Sequence, residues 1–362
     1  MEPLTLRVSD RVRETHDTVT FRLEPVGAPL PGYRPGQFLT LLVDHYGREV
    51  RRSFSLTSSP ADPFLSITVK RKVNGEISRY LQDRVPLGAL LRSLPPSGRF
   101  TFEAAGDAGR GPAEGADRAV IEAARAPRDI GFIAAGSGIA PILPLLRQVL
   151  SEEPTAHVWL LYQNHSEADV IFEKALKELQ AENAGRFTLE VLFSAPVAHT
   201  ILPRRLNNAN LEQFVRELTR FDPGRSLLYC CGPEALMRMA RFTLRLMGFR
   251  EDQFRQEHFT VDVVPHAPLI HDTSPKHVVL RTREKTYAFD VAYPANILQA
   301  ALDHHIPLPY SCRGGRCSTC AVRCGSGRVV MSINDVLTEK DLKEGWVLTC
   351  TGYAATDLEL EL

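Results

Sequence analysis

Cys312-Arg313-Gly314-Gly315-Arg316-Cys317-Ser318-Thr319-Cys320 is the stretch from which the rest of the chain is best read. A further cysteine, Cys350, follows Cys320 after 29 residues, within Trp346-Val347-Leu348-Thr349-Cys350. Thiols from one loop and from one remote segment can converge on a small inorganic core if the loop wraps it closely. Gly314 and Gly315 permit the sharp turns this requires and let backbone N–H groups point inward. Those N–H groups, with the hydroxyls of Ser311 and Ser318 beside them, are available to hydrogen-bond the ligand sulfurs.

The C-x4-C-x2-C spacing with a distant last cysteine is that of a plant-type [2Fe–2S] ferredoxin, so Cys312, Cys317, Cys320 and Cys350 are the expected metal ligands. A zinc site would more often show a pair of C-x2-C knuckles, and disulfides would need an oxidising compartment. Cys324 reads as a spare thiol on the strand leaving the loop. The flanking sequence suits the same unit. Residues 276–283 and 285–291 have the Val, Thr, Tyr and Phe of a hairpin. Asn296 is placed to cap a short helix over 297–304. Residues 357–362 alternate charge and leucine, as an edge strand would.

Composition sets outer limits. A chain of 362 residues calls for about two or three domains. Its net charge of zero argues against nucleic acid as the main partner. No apolar stretch is long enough for a membrane span. Met1 to Asp10 lacks the apolar core of a signal peptide, and seven cysteines with a metal role for most fit a reducing, cytoplasmic setting. Two biased stretches divide the chain: an Ala/Gly/Arg/Glu-rich joint at 104–129, and a proline-rich linker at 263–275. The expected units are therefore 1–103, 130–262 and 276–362.

The middle unit opens with a buried strand from Asp129, then Gly136-Ser137-Gly138-Ile139-Ala140-Pro141, then a helix with Ile142, Leu145, Leu146, Val149 and Leu150 on one face. A strand, a glycine turn and a helix present helix N–H groups to a phosphate, and Pro141 suits the first helical turn. Further strands are expected at 157–163, 187–193 and 226–231, alternating with helices at 173–183, 211–221 and 233–247. This is the pattern of a doubly wound α/β sheet, which binds ligands at the C-terminal ends of its strands. Tyr229-Cys230-Cys231-Gly232-Pro233 lies at such an end. The first unit has many short β runs broken by Gly and Pro, the signature of a small antiparallel barrel. Within it lie Arg52-Ser53-Phe54-Ser55, Val69-Lys70 and Gly75-Glu76-Ile77-Ser78. Ser78 is placed to cap a helix over 79–85, whose N-terminus would favour a phosphate.

Taken together, these pieces resemble the ferredoxin–NADP reductase superfamily. Arg52-Ser53-Phe54-Ser55 matches its R-x-[YF]-S, Gly75 to Ser78 its G-x-x-S, and Gly136 to Pro141 its G-[ST]-G-I-x-P. Cys231-Gly232-Pro233 and Glu257-His258-Phe259 match its C-G-P turn and E-x-F. All occur in order ahead of the ferredoxin-like segment, so the likeness covers almost the whole chain. It points to the oxygenase-reductase branch with a C-terminal ferredoxin domain of β-grasp fold. The implied activity is an NAD(P)H oxidoreductase passing electrons through a flavin to the [2Fe–2S] centre. A flavin is needed there because it exchanges electrons both in pairs and singly.

The resemblance also assigns residues. Arg52, Phe54, Ser55 and Leu56 hold the flavin, with Ser55 nearest its reactive nitrogen. Val69 and Lys70 line its tail, and Gly75, Ile77 and Ser78 its diphosphate. Gly136, Ser137 and Gly138 face the nicotinamide nucleotide, with Gly232 and Pro233 beside them. Cys231 and Glu257 flank the stacked nicotinamide, and Phe259 covers the ring in its absence. Pro96-Ser97-Gly98-Arg99-Phe100 is nearer the FAD type's P-x-G-x-F than the P-R-N-x-F of an FMN-using sister group, which favours FAD over FMN. Ala140 stands where threonine is common, and the joint at 104–129 is longer than the family pattern. His165 replaces a frequent arginine and leaves the choice between NADH and NADPH open. Arg204 and Arg205 favour NADPH, since arginines bind a 2′-phosphate well.

The expected partner is an oxygenase, a hydroxylase or another redox acceptor protein. It would dock on the ferredoxin domain near Cys312 to Cys320, with Arg313, Arg316 and Arg323 meeting an acidic face. The competing reading of those arginines is that they only support the loop or stay solvated. At the level of function, the alternative is a non-enzymatic redox sensor or scaffold that retains the reductase fold. An enzyme oxidising a small substrate at the flavin is less well supported, because nothing in the chain resembles a separate substrate pocket.

Overall fold

The computed structural model describes residues 3–102, 127–259 and 266–362. Most of the joint at 104–129 and the start of the linker at 263–275 therefore lie outside the described residues. The first unit contains β1 (Leu4–Arg13), β2 (Thr18–Pro25), β3 (Phe38–His45), β4 (Arg48–Ser55), β5 (Leu65–Lys70), α1 (Glu76–Arg84) and β6 (Leu90–Ser97). Its strands run in the order β4-β3-β6-β1-β2-β5, all antiparallel. A bridge between Leu56 and Ile67 brings the two ends of the sheet together, so it closes as a barrel. Alternate residues such as Phe21, Leu23, Leu39, Leu41, Ile67 and Val69 fill the interior, as a period of two requires. Ile77 and Leu81 seat α1 on that core. The helix begins earlier than expected: Gly75 is its N-cap, and Ser78 lies within the first turn.

The second unit alternates β7 (Asp129–Ala135), α2 (Ile139–Glu152), β8 (His157–Asn164), α3 (Glu173–Glu182), β9 (Phe187–Phe193), α4 (Asn208–Leu218), β10 (Leu227–Cys231), α5 (Glu234–Leu246) and β11 (Phe254–Glu257). The sheet order is β11-β10-β7-β8-β9, parallel throughout. The order reverses between β7 and β10, and that is where an open α/β sheet leaves a crevice for a ligand. At the opposite end, the buried Asp129 carboxylate accepts from the backbone N–H groups of Arg220 and Phe221 and meets His157 Nδ1 at 2.8 Å. Helix α4 starts before the expected 211 because the Asn207 side chain caps it, accepting from Asn210 N, an N-terminal signal that apolar periodicity passes over.

The third unit holds β12 (Lys276–Arg281), β13 (Thr286–Val291), α6 (Ile297–Asp303), β14 (Ala321–Ser326), β15 (Val329–Met331), α7 (Glu339–Lys343), β16 (Trp346–Leu348), β17 (Gly352–Ala354) and β18 (Leu358–Glu361). The main sheet runs β13-β12-β18-β14-β16, with β15 and β17 paired apart. Asn296 caps α6 as expected, accepting from Gln299 N. The last strand is not an edge: β18 lies at the centre, parallel to β12 and antiparallel to β14. Alternating Leu and Glu correctly reports one buried face, with Leu358 and Leu360 in the core, but it says nothing about how many neighbours a strand has. Among the described residues, no helix is long and apolar enough to cross a membrane.

Candidate active site

The cluster loop joins α6 to β14. Gly315 has φ +75°, and a Cβ there would stand 2.6 Å from the Ile333 carbonyl oxygen, so only glycine makes this turn. Cys317, Cys320 and Cys350 are buried and Cys312 is half-buried. Thr349 brings in the remote segment, its N–H and hydroxyl both donating to the Cys320 carbonyl. Gly314 N–H donates to Cys312 Sγ at 3.4 Å and Cys312 N–H to Cys317 Sγ at 3.5 Å. The Cys312 thiol is drawn well below its ordinary value, first by the thiols of Cys317 and Cys350. Cys320 is likewise lowered, first by Cys350. Sulfurs close enough to hydrogen-bond one another in pairs form an all-cysteine donor set, the ligand type of an iron–sulfur cluster. The Ser311 hydroxyl pairs with Ser53 Oγ at 2.7 Å. Cys324 stands apart on β14, donating to the Ser326 carbonyl.

In the barrel, β4 carries Arg52 to Ser55. The buried Ser55 hydroxyl donates to Glu257 Oε2 at 2.9 Å, joining barrel to α/β unit. Burial raises the Glu257 carboxyl from 4.5 to about 8, against the lowering effect of Ser55. Arg52 is exposed and makes no ion pair among the described residues. Phe54 is half-buried against the barrel core. Ser78 locks the loop before α1, accepting from Lys72 N and donating to the Gly75 carbonyl. Lys70 is half-buried, 3.4 Å from Asp17. The side chains of Leu56, Val69 and Ile77 are core residues, so only their backbone can face a cofactor; the Val69 carbonyl is already taken by Gln82 Nε2.

The turn after β7 is equally constrained. A Cβ on Gly138 would stand 2.0 Å from the Cys231 carbonyl oxygen, so glycine is what lets this turn pack against the end of β10. Gly136 has φ +51°, and its carbonyl accepts from Tyr162 Oη at 3.0 Å. Ser137 is half-buried, and Pro233 caps α5. Cys231 pairs with Ala134 on one side and Glu257 on the other. Its thiol is fully buried and pushed up, first by burial and then by Glu257. Arg204 and Arg205 are both exposed. The backbone around Arg204 is held at the ends of β8 and β9 by Gln163 and Phe193.

The three units meet at one cavity of about 380 Å³. Its walls include Arg52, Ser53 and Ser55 of the barrel, Glu257, His258 and Phe259 beyond β11, and Ser311, Cys312 and Cys317 of the cluster loop. A volume in the range of ligand pockets (about 300–1,000 Å³) and an exposed arginine on the wall suit a flavin. Contacts across the cavity hold the loop in place. Arg51 donates to the Tyr310 carbonyl and stacks on its ring. Arg99 pairs with Asp341 and lies over Trp346. Arg316 is buried, with Nε on Asp335 at 2.8 Å and Nη1 on Glu234 at 3.2 Å. Arg316 therefore supports the loop and does not face a partner; Arg313 and Arg323 are the exposed members of that trio.

Known proteins show the same arrangement. Family models match in sequence: the oxidoreductase FAD-binding domain over 5–102, the oxidoreductase NAD-binding domain over 132–241, and the 2Fe-2S iron-sulfur cluster binding domain over 281–355. The ferredoxin reductase component of 3-ketosteroid-9-alpha-monooxygenase from Mycolicibacterium smegmatis is 33% identical over 98% of this chain and 95% of its own. The chain belongs to the ferredoxin–NADP reductase superfamily, in the branch with a C-terminal [2Fe–2S] domain. A component of the Escherichia coli 1,2-phenylacetyl-CoA epoxidase is 29% identical over 97% of this chain and 95% of its own. Phthalate dioxygenase reductase has the same fold, at TM-score 0.58 and 22% identity, covering 99% of this chain and 98% of that one. The reductase is thus an NAD(P)H oxidoreductase carrying FAD and a [2Fe–2S] cluster.

Motif reading does not find Arg51, Ser53, Arg99 or Glu234, which complete the reductase's inter-domain contacts. Their partners lie on other domains, and no local spacing announces such a pair.

Proposed function

We propose that this reductase serves an oxygenase component: it takes electrons from NADPH at the β7–β10 crevice and delivers them from the ferredoxin domain to that partner, in the cytoplasm. The supporting observation is the shared cavity, which has Ser55 and Glu257 on one wall and Cys312 and Cys317 on another. FAD, when bound, accepts hydride and releases single electrons. Arg52, Phe54 and Ser55 position its ring and phosphates, with Leu56, Val69 and Lys70 contributing backbone and Gly75, Ile77 and Ser78 the diphosphate end. Gly136, Ser137 and Gly138, with Gly232 and Pro233, take the nucleotide. Ser55 keeps Glu257 oriented, Cys231 gives a close-packed floor, and Phe259 shields the cavity. Cys312, Cys317, Cys320 and Cys350 hold the cluster. All seven cysteines are unpaired, which supports a reducing compartment.

For the partner, support comes from the other side of the cluster. There an opening of about 200 Å³ is lined by Leu298, Gln299, Leu302, Arg313 and Cys350. Arg313 is exposed and held over the Tyr310 ring, so an acidic partner face would meet it. The relatives named for a monooxygenase and an epoxidase support an oxygenase as that partner. Arg313→Glu should slow partner reduction about tenfold at low salt while ferricyanide reduction is kept; an unchanged partner rate contradicts the docking site. For the nucleotide, kcat/KM should be higher with NADPH, through Arg204 and Arg205; a clear preference for NADH contradicts that choice.

A further inference from the structure

We propose that Glu234 is a positioning residue that ties the nicotinamide-side edge of the α/β sheet to the cluster loop, and so sets how fast electrons pass from flavin to cluster. Glu234 opens α5 directly after the Cys231-Gly232-Pro233 turn. One of its oxygens, Oε2, meets both Arg316 Nη1 at 3.2 Å and His258 Nδ1 at 3.1 Å. His258 follows Glu257 and lines the shared cavity. Arg316 precedes the ligand Cys317, and its Nε is held by Asp335. Asp335 in turn donates its N–H to the Gly315 carbonyl. A continuous set of polar contacts thus runs from the cavity wall at His258, through Glu234 and Arg316, to the loop backbone at Gly315.

The energetics favour a tie with a defined geometry. A guanidinium that is only 8% exposed has lost most of its hydration, and it keeps its charge because carboxylates approach it from two sides. Arginine's planar fork fixes the direction of both contacts. Asp335 belongs to the same domain as Arg316, so it fixes the side chain on the loop. Glu234 belongs to another domain, so its contact fixes the loop on the cavity. Transfer between two bound groups depends steeply on how they are held, and Cys312 and Cys317 are the ligands that line the cavity. Removing Glu234 leaves Arg316 paired with Asp335, so the loop stays formed while its seating on the α/β unit loosens.

The test uses the reconstituted holoenzyme with Glu234→Ala and the near-isosteric Glu234→Gln, mixed anaerobically with NADPH in a stopped-flow instrument. Flavin bleaching should stay within about threefold of the parent, while cluster reduction slows about tenfold in Glu234→Ala and less in Glu234→Gln. The electron paramagnetic resonance g-values of the reduced cluster should not move. Hydrogen exchange should quicken at Ser311 to Cys317. Cluster reduction at the parent rate in both variants overturns the proposal. So does equal slowing of flavin bleaching, which would make Glu234 a structural part of the nucleotide domain, or shifted g-values, which would mean the loop itself was damaged.

Discussion

Cys317 and Cys231 are both buried cysteines close to the same cavity, and both thiols are pushed up, but their neighbours differ: Cys317 is raised first by another thiol, Cys312, and Cys231 first by burial. Cys317 belongs to a set of thiols that hydrogen-bond one another and receive backbone N–H groups. Cys231 is packed in a sheet core with Glu257 and Cys230 beside it, and burial pushes its proton on more firmly. Burial alone therefore makes a cysteine inert; burial with converging sulfurs and inward N–H groups makes a metal ligand. The same burial that silences Cys231 also acts on Glu257, whose carboxyl keeps its proton up to about 8.

The largest effect expected from this contrast is at the ligands. Cys317→Ser or Cys350→Ser should abolish the cluster's visible absorption and its resonance signal, leaving flavin reduction by NADPH in place. Cys231→Ser should keep full iron content. Loss of the cluster in Cys231→Ser, or its survival in Cys350→Ser, would break the comparison.

A smaller effect is expected at Glu257. Its carboxyl ionises at about 8 in the folded chain against 4.5 ordinarily, so the native state holds a proton that the unfolded chain has lost. Stability should therefore fall as pH rises from 4.5 towards 8, by on the order of a few kcal/mol. Urea midpoints across this window should fall less steeply in Glu257→Gln than in the parent. Equal slopes would mean the carboxyl is not held protonated. The smallest effect belongs to Cys324, which lies apart from the other thiols: Cys324→Ser should change stability by no more than ~0.5 kcal/mol and leave iron content unaltered.

Sequence reading reaches different depths in the two regions. The cysteines proposed as cluster ligands stand out in the sequence because they come from one loop and one later segment, with glycines that only a tight wrap requires. The barrel, the parallel sheet and most element positions are likewise legible from periodicity and turn residues. The Ser55–Glu257 hydrogen bond spans two domains, so the motifs identify its members without pairing them. Arg316 is legible as a loop arginine but not as a buried one, since its carboxylates come from distant segments. Ser78 reads as a cap because serine favours that place, whereas Gly75 takes it and Ser78 closes the loop behind it. The central position of β18 depends on its partners, which alternation along a single strand does not encode.

The central claim is that one chain passes electrons from nicotinamide through flavin to the cluster. Anaerobic mixing of the reconstituted protein with NADPH, followed at the flavin band and by electron paramagnetic resonance, tests it most directly. Flavin bleaching should come first and a reduced [2Fe–2S] signal should follow without added mediator. A cluster that stays oxidised beside a fully bleached flavin would contradict the account.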